Sequence, residues 1–265
     1  MSITGVVFYE GLSEIDGQPI IGIATFGTSN EKTGNLVQTW MMRSDIHPID
    51  AINTGADSSI CGSCPLRGLI RPASERTKPS KFAGDTANKG RSCYVLVQNA
   101  PLAIWNAYHS GKYPVLSSEH RRLMMGRGLR YGSYGDPVAI PMNYWDNLAK
   151  FCTGKSEPGY THQWRDSRFQ DWSKRVMAST HSVAENAVAS TMGWRTFRTI
   201  VDIEEISSEE IICPASEAGG YTANCETCGA CNGRRSMTDG RKSIAIMAHG
   251  GSGKASLVGQ VIASA

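Results

Sequence analysis

No run of this sequence approaches the roughly 18 consecutive apolar residues that a membrane-spanning helix needs. Its start, MSITGVVFYEGLSE, lacks both the basic n-region and the apolar h-region of a secretory leader. These absences lead us to expect a cytoplasmic protein with no membrane partner. Charge of one sign is scarce as well: 27 Lys and Arg against 24 Asp and Glu leave a formal charge of +3. That balance permits a nucleic-acid partner without arguing for one. No internal repeat occurs beyond alternating strand and helix patterns, and no low-complexity segment, so solenoids and long linkers are set aside.

Cysteine, by contrast, is plentiful, with eight in 265 residues. Reducing thiol buffers make metal binding or catalysis a better expectation for them than disulfides. A chain of this length buries a sizeable core, either as one α/β domain or as two smaller ones.

The first 45 residues read as strands, GVVFYEGL, PIIGIATFG and LVQTWMMR, separated by turn-rich pieces. From about Ile52 to Arg91 the pattern gives way to Gly, Pro, Ser and charge, an insert of a length usually kept for function. CYVLVQ then reads as a strand, PLAIWNAYHSG and SSEHRRLMMG as helices, GLRYGSY as a strand and PMNYWDNLAKFC as a helix. PGYTHQW, KRVMAST, WRTFRTIVDI and KSIAIMAHG are further strands, with RDSRFQDW and SVAENAVASTMG as helices between them. Ser182 and Glu185 have the spacing of a capping box, and Gly193 closes that helix. Such β/α units predict a full or partial barrel-like parallel sheet, with N-terminal strands and a C-terminal Cys-rich metal-binding segment. The boundaries read as 1–50 for strands packed on the main domain, 51–205 for the barrel-like domain and 206–265 for the Cys-rich segment with the last strand. Function then belongs beyond the C-terminal strand ends.

Cys61, Cys64 and Cys93 form C-x2-C-x28-C. Two thiolates at C-x2-C reach one metal from a single turn, and a third leaves a coordination position open, as catalysis requires. The alternative is a structural zinc completed by His47 or Cys152. Cys213, Cys225, Cys228 and Cys231 supply four thiolates, a complete set, and C-x2-C-x2-C fits a [4Fe-4S] cube better than the two separated pairs usual for zinc. In LRYGSYGDP, Gly132 and Gly135 allow close backbone approach to a ligand, Ser133 and Tyr134 lie between them, and Asp136 suits an ammonium group or a cation. The plain alternative is a β-turn starting the next helix. His162 and His181 at successive strand ends are candidates for proton transfer. HGGSGKAS is no phosphate loop, because Ala248 and Ala255 stand where Gly and Ser or Thr are required. His249 is left there as a further residue able to face the site.

Together CGSCPLR, SCYV, RYGSYGDP, GYTHQW and CPAS with its following C-x2-C-x2-C resemble a little-characterised family of phage and mobile-element proteins with radical-SAM-like features. The resemblance runs from about Asn53 to His249 and implies a host-cytoplasmic iron-sulfur enzyme of unknown substrate, fed by an electron donor. Cys61, Cys64 and Cys93 would hold a [4Fe-4S] cluster that binds S-adenosylmethionine. Gly132 to Asp136 would match the glycine-rich cosubstrate segment, and Cys213, Cys225, Cys228 and Cys231 an auxiliary cluster. The chain differs from the radical-SAM hallmark C-x3-C-x2-C and carries Asp136 where glutamate is usual. A second expectation is a zinc-stabilised nucleic-acid-binding protein serving replication, since the basic stretches RGLIRPASERTKPSK and NGRRSMTDGRK flank the cysteine groups.

Overall fold

The β-branched and aromatic runs at the N-terminus form β1 (Gly5–Leu12), β2 (Pro19–Thr25) and β3 (Val37–Arg43), an antiparallel meander. The computed structural model describes residues 3–27, 30–70, 88–89, 91–234 and 243–247. His249, HGGSGKAS and most of the two basic stretches lie outside them. After β3 come α1 (Pro48–Thr54), α2 (Ser58–Cys61), and a short hairpin of β4 (Leu69–Ile70) with β5 (Asn88–Lys89). α3 (Ala100–His109) and α4 (Arg121–Met124) lead into β6 (Leu129–Tyr134), which pairs parallel with β3. The N-terminal strands therefore share one sheet with the strand that carries the glycine-rich turn.

The sheet order continues. Leu129 and Tyr131 donate their amides to Ser156 and Pro158 at 3.0 and 2.8 Å, and Tyr131 bridges Gly159 in parallel, just before β7 (Tyr160–Thr161). α5 (Met142–Ala149) connects β6 to this segment. β8 (Met177–Thr180), α6 (Val183–Thr191), β9 (Thr196–Ile200), β10 (Glu210–Ile212), α7 (Cys225–Cys228) and β11 (Ser243–Met247) follow. The strands order as β10-β11-β9-β8-β7, every pair parallel. This is a mixed α/β fold with a parallel sheet and an N-terminal strand sheet. The full barrel is not formed: among the described residues no pairing joins β10 to β1, so the ring stays open.

One face carries the large core. Trp145 of α5 is fully buried between Phe8 and Tyr131, with ring centroids 4.9 and 5.0 Å away, and its indole N–H donates to Pro137 O at 3.0 Å. Met177, Phe197 and Ile244 form a smaller second core that includes Cys213 and Cys231. α6 starts at Ser182, whose hydroxyl accepts from Glu185 N at 3.1 Å. The Glu185 carboxylate returns to His181 N rather than to Ser182, so the box is one residue wider than its spacing suggests.

The expected strand CYVLVQ is absent. Alternation survives, with Tyr94 and Leu96 exposed and Val97 buried, but the backbone bonds to turns instead of a neighbouring strand. Cys93 N donates to Leu66 O, and Leu102 N to Val97 O. RDSRFQDW winds as a 3-10 helix, Ser167–Lys174, and β10 adds a strand that the sequence pattern did not suggest. No helix among the described residues is long and apolar enough to cross a membrane.

Candidate functional site

Because β3, β6, β7, β8 and β9 run in one direction, the loops after them emerge at one edge of the sheet. Cys61 and Cys64 follow β3, Asp136 follows β6, His162 follows β7 and His181 follows β8. The C-x2-C turn is made by α2, which ends on Cys61, and by Gly62 at φ +53. A Cβ on Gly62 would lie 2.4 Å from the Gln163 amide, so only glycine lets that side chain close over the turn. Gln163 Oε1 accepts from Ser63 N and Oγ at 3.1 and 3.0 Å, and its Nε2 donates to Cys61 O at 3.1 Å. Cys93 is brought in by Leu66, whose carbonyl accepts from both Ser92 N and Cys93 N at 3.1 and 3.0 Å.

A buried charge cluster underlies these thiols. Asp57 is fully buried; its Oδ1 accepts from Arg67 Nε and Nη2 at 3.1 and 2.6 Å, and its Oδ2 faces Arg91 Nη1 at 3.4 Å. Arg67 also donates to the carbonyls of Gly62 and Gly55 at 2.9 and 2.8 Å, fixing the loop on both sides of Cys61. Burial, then the Asp57 charge, then the other two cysteines push the Cys61 thiol well up, with Arg91 opposing. Burial and Cys93 push Cys64 up to about 12. Thiols held protonated in this way are poor nucleophiles, and a bound cation is what would displace their protons. Among the described residues no group of three or more His, Cys, Asp or Glu side chains is drawn together as for a bound metal ion. The three thiols are related by position and mutual charge.

Tyr134 closes this edge. Its side chain is buried and its hydroxyl finds no hydrogen-bond partner among the described residues. Burial raises its pKa well above the phenol range, and the next causes are Cys61, opposed by Arg91, then Asp57 and Cys93. Ser133 Oγ donates to Gln38 Oε1 at 2.6 Å. Gly132 and Gly135 have φ of +77 and +86, and a Cβ on Gly135 would lie 2.8 Å from Met41 Cβ. The turn is thus pressed under the cysteine loop, with Asp136 N donating to Ile60 O at 2.5 Å.

The Asp136 carboxylate is engaged on all sides. Oδ2 accepts from His162 N, Thr161 Oγ1 and Gln163 Nε2 at 2.8, 3.0 and 3.4 Å, and Oδ1 from Val138 N at 3.3 Å. Burial raises its pKa to about 6 against these bonds. It therefore caps the next turn and ties the ends of β6 and β7 together. His162 and His181 do meet, with parallel rings and Nε2 atoms 3.0 Å apart, and His162 Nε2 is 3.8 Å from Cys64 Sγ. Burial, then His181, lowers the His162 pKa to about 3; burial lowers His181 too, and its Nδ1 is buried without a partner among the described residues. Both rings are neutral at pH 7.

The other two candidate ligands for the trio lie elsewhere. His47 packs edge-on against Trp105, and Cys152 belongs to the large core beside Glu157 and Arg127. The histidine at the trio is His162.

Cys213, Cys225, Cys228 and Cys231 line one small cavity together with Pro158 and Pro214. α7 is capped by Asn224, which accepts from Thr227 N, and ends at Gly229 with φ +57. The segment is bonded to the starts of the strands: Gly159 N to Cys231 O at 3.1 Å, Gly233 N to Arg175 O at 3.0 Å, and Arg195 Nη1 to Ala230 O at 3.0 Å. Cys213 N donates to Ala245 O on β11 at 2.8 Å. Burial raises the Cys213, Cys225 and Cys231 thiols. All eight cysteines are unpaired. Sequence reasoning did not pick out Asp57, Arg67, Arg91 or Gln163. Their one signal was a place within a few residues of a cysteine or of His162. Compared with known proteins, the chain matches no family model, no curated protein and no solved structure.

Proposed function

We propose that this chain is a radical-SAM-like iron-sulfur enzyme on an open, barrel-like set of parallel strands. In this reading Cys61, Cys64 and Cys93 hold a [4Fe-4S] cluster that binds S-adenosylmethionine, and Cys213, Cys225, Cys228 and Cys231 hold a second, closed cluster. The observation that carries it is the Tyr134 hydroxyl, a buried donor without an acceptor among the described residues, set among Cys61 and Cys93. Sulfur at a thiolate-bound cluster is the acceptor such a donor fits, where Arg67 and Arg91 already offset thiolate charge. Bound there, a three-cysteine cluster supplies an open iron and an electron for cleaving a sulfonium.

The chain's own residues then have defined tasks. Gln163 and Asp136 hold the cysteine turn to the ends of β6 and β7. With the Asp136 oxygens taken, the cosubstrate's ammonium would meet the turn from Gly132 to Gly135. His162 and His181 share one proton between their Nε2 atoms and can move it along that edge. The four-thiol cavity, closed by its own ligand count, serves structure or electron supply.

Anaerobic purification with iron and sulfide analysis tests the reading. About eight irons per chain and a broad band near roughly 400 nm are expected, with 5′-deoxyadenosine formed from S-adenosylmethionine and a reductant. Alanine at Cys61, Cys64 and Cys93 together should remove about half the iron and all of that product. Zinc in place of iron, or no product from iron-loaded protein, overturns it. Zinc with salt-dependent binding of single-stranded or duplex DNA would instead identify a nucleic-acid-binding protein.

A further inference from the structure

β3, β6 and the chain entering β7 run parallel, so the residues that lead into them meet at one edge of the sheet. They are closely joined there. Val37 N donates to Gly128 O at 2.9 Å, Leu129 N to Ser156 O at 3.0 Å, Gly154 N to Arg127 O at 2.8 Å and Gly126 N to Thr153 Oγ1 at 2.7 Å. A Cβ on Gly154 would lie 2.3 Å from Gly128 N, so these two segments touch backbone to backbone. The four-cysteine segment joins the same edge, with Cys225 N donating to Lys32 O at 2.8 Å and Ser156 Oγ to Cys225 O at 2.6 Å.

These segments, with α4 and α5 that feed them, carry the cations Lys32, Arg121, Arg122, Arg127, Lys150 and Lys155. No carboxylate among the described residues lies within salt-bridge distance of any of the six. Arg121, Arg122, Lys150 and Lys155 are exposed, and Lys32 and Arg127 half-buried. Of the acids nearby, Glu226 accepts from Asn35 N at 2.8 Å and Glu157 pairs with Arg234, which leaves Glu31 and Glu119 against six positive charges. The excess belongs to this edge. At the other one Arg43, Arg67, Arg91, Arg165 and Arg168 each face a carboxylate, and Asp50, Asp202 and Glu204 add exposed negative charge after β3 and β9.

An aromatic ring stands beside these cations. Tyr221 is 61% exposed and, among the described residues, is the one residue other than glycine with positive φ, at +49. That region is costly for a tyrosine, and it persists where the surroundings fix it: Tyr221 N donates to Ser216 O at 3.1 Å. Four residues separate Tyr221 from Cys225, a span of at most about 14 Å, and Cys225 is bonded to Lys32.

We propose that this edge binds single-stranded nucleic acid, its phosphates along the six cations and an unpaired base stacked on Tyr221. Cations spread over several segments suit a chain of phosphates better than one small anion. An exposed ring serves an unpaired base, whereas the bases of a duplex are already stacked. Such binding goes beyond the iron-sulfur reading and does not rest on it, because none of these residues is a proposed metal ligand.

Fluorescence anisotropy of labelled oligouridylate and oligothymidylate, about 12 nucleotides long, with the full-length, anaerobically purified protein tests this. With about five phosphates neutralised, affinity should fall roughly 100-fold between about 50 and 200 mM salt, and the tighter of the two oligonucleotides separates RNA from DNA. Joint replacement Arg121→Glu, Arg122→Glu and Lys155→Glu should weaken binding at least tenfold and flatten the salt dependence, with thermal unfolding unchanged. Tyr221→Ala should weaken it at least fivefold, and Tyr221→Phe should restore it. No binding at about 50 mM salt, or binding that the triple replacement leaves intact, overturns the proposal. Equal affinity for a duplex, or displacement by polyglutamate with Tyr221→Ala silent, overturns it too, the latter in favour of an acidic protein partner. Iron-loaded protein that fails to bind sinks this proposal alone, whereas binding by protein that assembles no cluster supports it and sinks the iron-sulfur reading alone.

Discussion

Asp57→Ala removes the one carboxylate that holds Arg67 and Arg91, whose side chains are only 16% and 7% exposed. Breaking a buried pair by deleting one partner costs about 3–5 kcal/mol, chiefly because the remaining charge is left unpaired. Arg67 keeps its carbonyl bonds to Gly62 and Gly55, and the Arg91 contact at 3.4 Å is already long. The lower end, about 3 kcal/mol, is therefore expected. At roughly 2–4 °C per kcal/mol for a chain near this size, Tm falls by about 6–12 °C. Asp57→Asn keeps an acceptor and should lose about half as much. A second readout moves the other way. Because the Asp57 charge is the next cause after burial that raises the Cys61 thiol, its removal should speed Cys61 alkylation at fixed pH. Thermal unfolding of metal-free protein and mass-resolved iodoacetamide rates measure both. A Tm for Asp57→Ala within about 2 °C of wild type, with alkylation unchanged, would refute the claim that this carboxylate organises the trio.

Three further outcomes follow from individual contacts. If the trio holds the proposed cluster, Tyr134→Phe should leave the fold intact and shift that cluster's midpoint potential negative in an electron paramagnetic resonance titration, since a donor able to reach sulfur is lost; no shift removes Tyr134 from the site. Glu210, 1% exposed, forms a buried pair with Arg198, itself 2% exposed, so Glu210→Ala should cost about 3–5 kcal/mol in denaturant unfolding. Burial pushes Glu210 up, but Arg198 and the Ser207 amide outweigh it and hold its pKa below the usual value. Its contribution is therefore present above the unfolded-state pKa and fades as pH falls through the lower folded value, an acid limb that Glu210→Gln should lack. Gly135→Ala combines φ +86 with a Cβ 2.8 Å from Met41 Cβ and should destabilise by more than about 1 kcal/mol in denaturant unfolding.

The strands were legible where apolar runs are buried along most of their length, as in β1, β2 and β3. β1, β2, β3 and β6 carry long apolar patterns, and α6 carries its cap and its closing glycine. CYVLVQ misled because alternation records only which side chains meet the core; it does not record whether a neighbouring backbone is there to pair. β10 is three residues long, too short for any periodicity. At the site, cysteine spacing and histidines at strand ends were readable because the chemistry is local in sequence. The meeting of His162 with His181, nineteen residues apart, depends on parallel neighbours whose ends align. Asp136 shows the converse: the acid was legible, but its burial against Thr161, His162 and Gln163 is set by β7 and the loop after it, which a sequence window around β6 does not contain.

β7 also decides how the two cysteine groups relate. Tyr160, its first residue, packs on the second core and is acted on by Cys231, Cys225 and Cys213, whereas His162, two residues on, reaches Cys64. The segment from Tyr160 to His162 thus links the two groups, although their cysteines are more than a hundred residues apart in sequence. In the proposed reading the four thiols that line one small cavity, Cys213, Cys225, Cys228 and Cys231, leave no position for an outside ligand. In the same reading Cys61, Cys64 and Cys93, near a hydroxyl without a partner among the described residues and near two imidazoles, do leave one.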